Sequence, residues 1–286
     1  MRYQRVADEA ELIAALSDPA AAILSGGTDL LVKIRGGLVR PGLLVDIGRV
    51  PTLQGIRRTE RAIEIGAAVP ESDVLASPDV RDALPLLSAA LRALGSVQIR
   101  NRGTLGGNLV NASPAADSAI PLLLYDAELV LVGVGGERTV PLDSFFVGPG
   151  RTALGSSEFV RTVRVPIPKT GYDTFYHKVG KRRALTIAIA SLGALLRTED
   201  GRIAEARLAA GSVAPTPIRL RAVEERLRGA PLTDGAIAEA KRLAIEAVSP
   251  ISDVRATAGY RSRVIGDLVA RALQIAISRS DLHTRS

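Results

Sequence analysis

The stretch Ile23-Leu24-Ser25-Gly26-Gly27-Thr28-Asp29-Leu30 and its counterpart eighty residues later, Gly103-Thr104-Leu105-Gly106-Gly107-Asn108, decide how this chain is read. Each sets two adjacent glycines beside short polar side chains. Such a pair opens backbone conformations closed to other residues, so successive N–H groups can point into one concavity suited to phosphate oxygens. Either segment alone is no more than a turn signal. Two of them offer a seat to each half of a pyrophosphate, and together they point to a dinucleotide. The first comes directly off the apolar run Ala21-Ala22-Ile23-Leu24, which reads as a buried strand. It lacks the G-x-G-x-x-G spacing of the doubly wound fold, and no Gly-Lys-Ser/Thr follows it as in a P-loop. The second runs on through small polar residues to Asp117, which precedes the apolar run Ala119–Leu124 and is placed to cap a helix there.

Composition narrows the chemistry. The 286 residues are 47% hydrophobic, enough for a sizeable core in one large or two moderate domains. No unbroken apolar run reaches the roughly 18 residues of a membrane span. The N-terminus lacks the apolar core of a signal peptide, so cytoplasmic residence is expected. The chain has no cysteine, which excludes disulfides and an iron–sulfur cluster held by its own thiolates. Its two histidines, His177 and His283, are too few for a zinc site and compose no Ser-His-Asp arrangement. His283 lies in a polar tail and reads as solvated. His177, on a strand, is either a half-buried strand residue or a cofactor contact. Catalytic and metal-ligating residues are therefore expected to be absent, and chemistry must come from a bound cofactor. The net charge of +7 raises nucleic acid as a partner, but the arginines are scattered and aromatics make up only 3%. There is no basic run with interleaved aromatic rings of the kind single-strand binders use. No nucleic-acid partner is expected.

Along the chain, Asp8 with Glu11 predicts a capped helix that stops before Pro19. Leu43–Ile47 reads as a buried strand, and Ala62–Val69 opens a second region. Ser77-Pro78 is a helix-start signal, Leu84–Leu94 reads as helical, and a hairpin is expected to turn at Gly135-Gly136. Phe159–Val165 is a strand, with Pro166–Gly171 as a linker. The C-terminal part predicts strands at Thr174–Val179, Ile187–Leu196 and Ile203–Ala210, with a turn at Glu199-Asp200-Gly201. Helices follow from Thr216-Pro217 to Gly229, from Thr233 to about Val248 and from about Gly259 to Ile277. A three-stranded antiparallel sheet with helices packed on it is the economical arrangement.

The two glycine segments, with Ala112-Ser113-Pro114-Ala115-Ala116-Asp117 after the second, resemble the motifs of the FAD-binding medium subunits of the molybdenum hydroxylases. That is the family of xanthine dehydrogenase and bacterial carbon monoxide dehydrogenase. Phe145–Thr152 resembles the family's segment before its domain junction, and Phe175–Arg183 the lysine-bearing strand and loop that border the flavin. The resemblance covers nearly the whole chain. It implies an α+β fold: a FAD-binding domain over 1–168, with an α/β subdomain of about 1–55 and a larger α+β subdomain of 56–168, then a C-terminal domain over 172–286.

The resemblance also implies the roles of individual residues. Ile23, Leu24, Ser25, Gly26, Gly27, Thr28, Asp29 and Leu30 would wrap the FAD pyrophosphate and its ribose. Thr104, Leu105, Gly106, Gly107 and Asn108 would close from the other side. Asp117 would accept from ribityl or ribose hydroxyls, and Val160 and Lys178 would touch the flavin. Leu94 stands where xanthine dehydrogenase has an aromatic residue, and Leu185 where an acidic residue lies near the ring. Lys181-Arg182-Arg183 would be either a solvated loop or positive charge beside the flavin. The implied partners are a molybdopterin-binding large subunit, a small subunit with two [2Fe–2S] clusters, and NAD, a quinone or oxygen as electron acceptor. The implied function is electron transfer through FAD. A self-contained flavin oxidoreductase of the wider fold is the alternative, and a structural subunit that has lost its flavin is another.

Overall fold

A computed structural model describes residues 1–182 and 186–283, with side chains through residue 278. Contacts divide the chain into two compact units. One comprises Met1–Leu84, Leu94–Ala112 and Asp126–Ile167; the other comprises Pro85–Ala93, Ser113–Tyr125 and Pro168–Ser286. Arg183 and Leu185 lie outside the described residues, as does the side chain of His283.

The first unit opens on a parallel sheet in which Leu43–Asp46 runs between Arg2–Arg5 and Ala21–Leu24. The helix Glu9–Ala15 connects its two edges. Asp8 caps it by accepting from the Glu11 N–H at 2.8 Å, and the Glu11 carboxylate accepts in return from the Ala7 N–H at 2.8 Å. Leu12, Val45, Val50 and Leu53 are fully buried behind this sheet. The first glycine segment leaves the strand Ala21–Leu24 and enters the helix Leu30–Arg35.

The unit's second sheet is antiparallel. Its strands are ordered Ile56–Arg58, Ala62–Gly66, Glu158–Pro166, Glu128–Gly133 and Gly136–Pro141. Gly133 pairs with Gly136, so the hairpin turns on Val134 and Gly135, one residue earlier than Gly135-Gly136. The second glycine segment is helical rather than an open loop. Leu105–Val110 forms a helix whose first free N–H, on Gly107, is taken by the hydroxyl of Thr104.

In the second unit the antiparallel sheet has four strands, not three: Asp173–Val179, Ala190–Glu199, Arg202–Gly211 and Ile218–Arg219. The extra strand replaces the expected start of a helix at Thr216-Pro217. Ile218 and Arg219 pair with Ala210 and Ala209, and the helix begins at Arg221. Proline suits the first turn of a helix and an edge strand equally, because neither needs its N–H. The helices Arg221–Leu227 and Ala258–His283 cover the sheet together with Pro85–Ala93 and Ala119–Leu124, and Asp234–Glu246 packs against the first two. A Cβ on Gly193 would stand 2.7 Å from Ile120, so the helix Ala119–Leu124 lies directly on the sheet. Among the described residues no helix is long and apolar enough to cross a membrane.

Candidate cofactor site

The parallel sheet delivers Ser25–Leu30 to the end of a strand, and the helix Leu105–Val110 brings its N-terminal turn to the same place. The two are tied directly, since the hydroxyls of Ser25 and Thr104 lie 3.0 Å apart. Between them opens a cavity of about 280 Å³. Ser25, Gly26, Gly27, Thr28, Asp29, Thr104, Gly106, Gly107 and Asn108 line one part, and Ile23, Ile47, Leu94, Ile99, Leu154, Phe159 and Val160 give it apolar walls. A lining that combines glycine segments with apolar side chains suits a ligand that carries both phosphates and flat rings.

The glycines serve three different ends. Gly27 has φ +73°, a conformation that admits L side chains poorly. Gly26 and Gly106 are needed for close approach: a Cβ would stand 1.9 Å from the Arg102 carbonyl oxygen or 2.7 Å from that of Ala67. A Cβ on Gly107 would meet only the Thr104 hydroxyl, at 2.8 Å, and otherwise projects into space.

The two segments also differ in what they offer an anion, contrary to the expectation of paired N–H concavities. Among the described residues no acceptor meets the backbone N–H groups of Gly26, Gly27, Thr28 or Asp29. The N–H groups of Leu105, Gly106, Gly107 and Asn108 are all taken, by Val69, Ala67 and Thr104. The first segment therefore supplies donors. The second supplies the N–H and hydroxyl of Thr104, the Asn108 side chain and, at Gly106 and Gly107, a wall without side chains. Leu24 and Leu105 do not line the cavity. Strand alternation turns Leu24 away from the face of Ile23, and Leu105 is fully buried at the start of its helix.

Asp117 and Lys178 belong to the second unit. The Lys178 ammonium donates to Asp117 Oδ2 at 2.5 Å and to the Ala93 carbonyl at 3.0 Å. The Tyr176 hydroxyl donates to Asp117 Oδ1 at 2.9 Å. Asp117 is thus not the cap of Ala119–Leu124, because both of its oxygens are held by the neighbouring strand. Burial pushes the Asp117 carboxyl up, against the pull of Lys178 and Tyr176, and burial and then Asp117 push the Tyr176 phenol well up. The alternation of Asp173–Val179 puts Tyr176 and Lys178 on one face and Phe175 and His177 on the other. His177 stacks on Phe175, and burial, then Arg271, lowers its imidazole. Tyr176 was legible in principle, two residues from the lysine on a strand.

Glu71, Lys33 and Asn111 also line the cavity and have no sequence signal of their own. Lys33 stands one helical turn beyond Asp29, the position from which a side chain returns to the glycine segment. A second cavity of about 340 Å³ shares Ser25, Gly26 and Thr104 and is lined by Arg5, Arg49 and Arg102. Only Ala68 and Pro70 give it apolar side chains, so it has no slot for a flat ring.

Comparison with known proteins agrees with this geometry. Residues 1–168 match the FAD binding domain in molybdopterin dehydrogenase, and residues 175–276 match the CO dehydrogenase flavoprotein C-terminal domain. The chain is 36% identical to the carbon monoxide dehydrogenase medium chain of Hydrogenophaga pseudoflava over 259 residues, 91% of this chain and 90% of that one. It is 33% identical to the xanthine dehydrogenase FAD-binding subunit of Escherichia coli O157:H7 over 279 residues, 96% of each. Its fold superposes on a solved structure of the Hydrogenophaga pseudoflava carbon monoxide dehydrogenase lacking the Mo-pyranopterin moiety, with a TM-score of 0.93, 35% identity and 98% of each chain covered. With both domain models in sequence and the glycine segments meeting at one cavity, the chain belongs to the FAD-binding medium subunits of the molybdenum hydroxylases and is an oxidoreductase subunit whose cofactor is FAD.

Proposed function

We propose that this subunit carries electrons within a heterotrimer. In this reading a molybdopterin-bearing large subunit oxidises the substrate and a small subunit with [2Fe–2S] clusters delivers the electrons. This chain passes them to NAD, a quinone or oxygen. The observation that carries the reading is the meeting of Ser25–Leu30 and Thr104–Asn108 at one cavity, fastened by the Ser25–Thr104 contact. We assign the division of labour to a FAD-binding domain over 1–168 and a C-terminal domain over 172–286.

Bound FAD supplies the conversion between one-electron and two-electron carriers. The chain's own residues do the holding. The unpartnered N–H groups of Gly26, Gly27, Thr28 and Asp29 orient phosphate oxygens, and Gly107 leaves room where a side chain would intrude. Thr104 and Asn108 add polar contacts, while Leu94 and Val160 pack against ring faces and exclude water. In the second unit Asp117 and Lys178 are assigned to the ribityl and flavin region. Tyr176 and the Ala93 carbonyl fix both head groups.

The test is reconstitution. The isolated chain is expected to be folded and yellow, to release all its FAD on mild acid treatment, and to show no substrate dehydrogenase activity with an artificial dye. Turnover is expected only once the molybdenum and iron–sulfur subunits are added. Substrate-dependent dye reduction by the chain alone would overturn the reading.

A further inference from the structure

We propose that Lys33 is the counter-ion of the FAD diphosphate and the residue that sets how tightly the cofactor is held. The proposal builds on assigning FAD to the cavity between the glycine segments. Three of the side chains lining that cavity are charged: Asp29, Glu71 and Lys33. Two of the three are acids, and the ligand brings a negative charge on each phosphorus. Backbone N–H groups give dipoles rather than net charge, so Lys33 is the only described lining group that offsets the anion. Placing a diphosphate beside two carboxylates without a cation is unfavourable, and more so in a cavity that excludes water.

The placement of Lys33 suits that role. It leaves the helix Leu30–Arg35, which starts where the first glycine segment ends. Its ammonium donates to Asn111 Oδ1 at 2.5 Å, and Asn111 closes the helix that the second segment opens. The charge is thereby held between the helices that follow the two segments, with both Lys33 and Asn111 on the cavity lining. An ammonium has three N–H donors, so the bond to Asn111 leaves two for phosphate oxygens. Lys33 and Asn111 are both half-buried, where salt screens a charge less than at the open surface.

The alternative is that Lys33 merely straps the two helices together through Asn111. Apo protein can distinguish these when titrated with FAD by flavin fluorescence at low and high salt, for wild type, Lys33→Met, Lys33→Gln, Lys33→Arg, Asn111→Ala and Gly107→Val. The two neutral Lys33 variants are expected to bind FAD roughly tenfold more weakly or worse, as befits the loss of a charge-assisted hydrogen bond, with a flatter salt dependence. Lys33→Arg should retain both affinity and salt response, and Asn111→Ala should stay within about threefold of wild type, since the cation remains. Wild-type affinity and salt response in both neutral variants would overturn the proposal, as would an Asn111→Ala loss equal to theirs. Gly107→Val separates the two levels. If it abolishes binding while the neutral Lys33 variants do not, only the role of Lys33 fails. If it too binds normally, the cavity itself is misassigned.

Discussion

At the scale of single residues, the paired glycines of the two segments look alike in sequence and are not alike in space. Gly26 faces the Arg102 backbone and Gly106 the Ala67 backbone, and backbone cannot step aside for a methyl group. Gly26→Ala is therefore expected to destabilise the apo first unit by about 1–3 kcal/mol, the usual cost of overpacking. Gly107→Ala should leave apo stability within about 1 kcal/mol, because it disturbs only the Thr104 cap. Urea unfolding of the two apo variants checks this, and equal midpoints would contradict it. The residues that carry polar chemistry divide in the same way. Ser25, Thr28 and Thr104 were legible because they sit inside the motifs. Lys33, Asn111 and Glu71 were not, because only folding brings a helix turn, a helix end and a distant segment to one wall.

At the scale of elements, local signals placed most helices and strands. Asp8 with Glu11, Ser77 with Pro78, and Thr233 all start helices as their side chains dictate, each accepting a bond from the third N–H along. The strand expected at Thr174–Val179 runs from Asp173 to Val179, and its alternation turns Lys178 and Tyr176 together onto Asp117. That trio has an energetic consequence. The Asp117 and Lys178 side chains are each only 7% exposed. Lys178→Ala strands a buried carboxylate and is expected to cost about 3–5 kcal/mol of second-unit stability, whereas Tyr176→Phe removes one hydrogen bond and should cost about 1–2 kcal/mol. The double variant Asp117→Ala with Lys178→Ala should be more stable than Lys178→Ala alone. Thermal unfolding decides it, and a double variant weaker than both singles would refute the buried pair as the cause.

At the scale of the whole molecule, the second unit has a fastening of its own. In the second unit the fully buried Arg261 donates to the carbonyls of Ile189 and Ser212, at 2.9 Å each, and to Asp253. Arg261→Met is expected to destabilise the unit by about 2–4 kcal/mol, since each buried carbonyl left without a donor costs about 1–3 kcal/mol. Asp253 adds a pH dependence. Hydrogen bonds from Arg255, above all, and from Arg261 hold its carboxyl well below the ordinary aspartate value of 3.8. The folded state thus binds fewer protons than the unfolded state below that value. Its contribution is complete above pH 3.8 and is lost as pH falls toward the lowered folded value. The stability gap between wild type and Asp253→Asn should accordingly narrow on acidification below pH 3.8 and stay constant above it. A gap that widens in acid would reverse the sign.

The sequence by itself determined the cofactor class, the family, and the order and type of most elements. Capping side chains, strand alternation and glycine pairs act over a few residues, and a motif repeated eighty positions apart is specific whatever the packing. Tertiary structure alone decided the rest. It made the second glycine segment a helix in which the N–H groups from Leu105 to Asn108 are spent, whereas those of Gly26 to Asp29 meet no acceptor among the described residues. It also turned Ile218–Arg219 into a fourth strand, paired Asp117 with Lys178 instead of capping a helix, and put Lys33 into the cavity. Each of these outcomes depends on which partner a polar group or an edge finds at long range, and a linear pattern does not specify that partner.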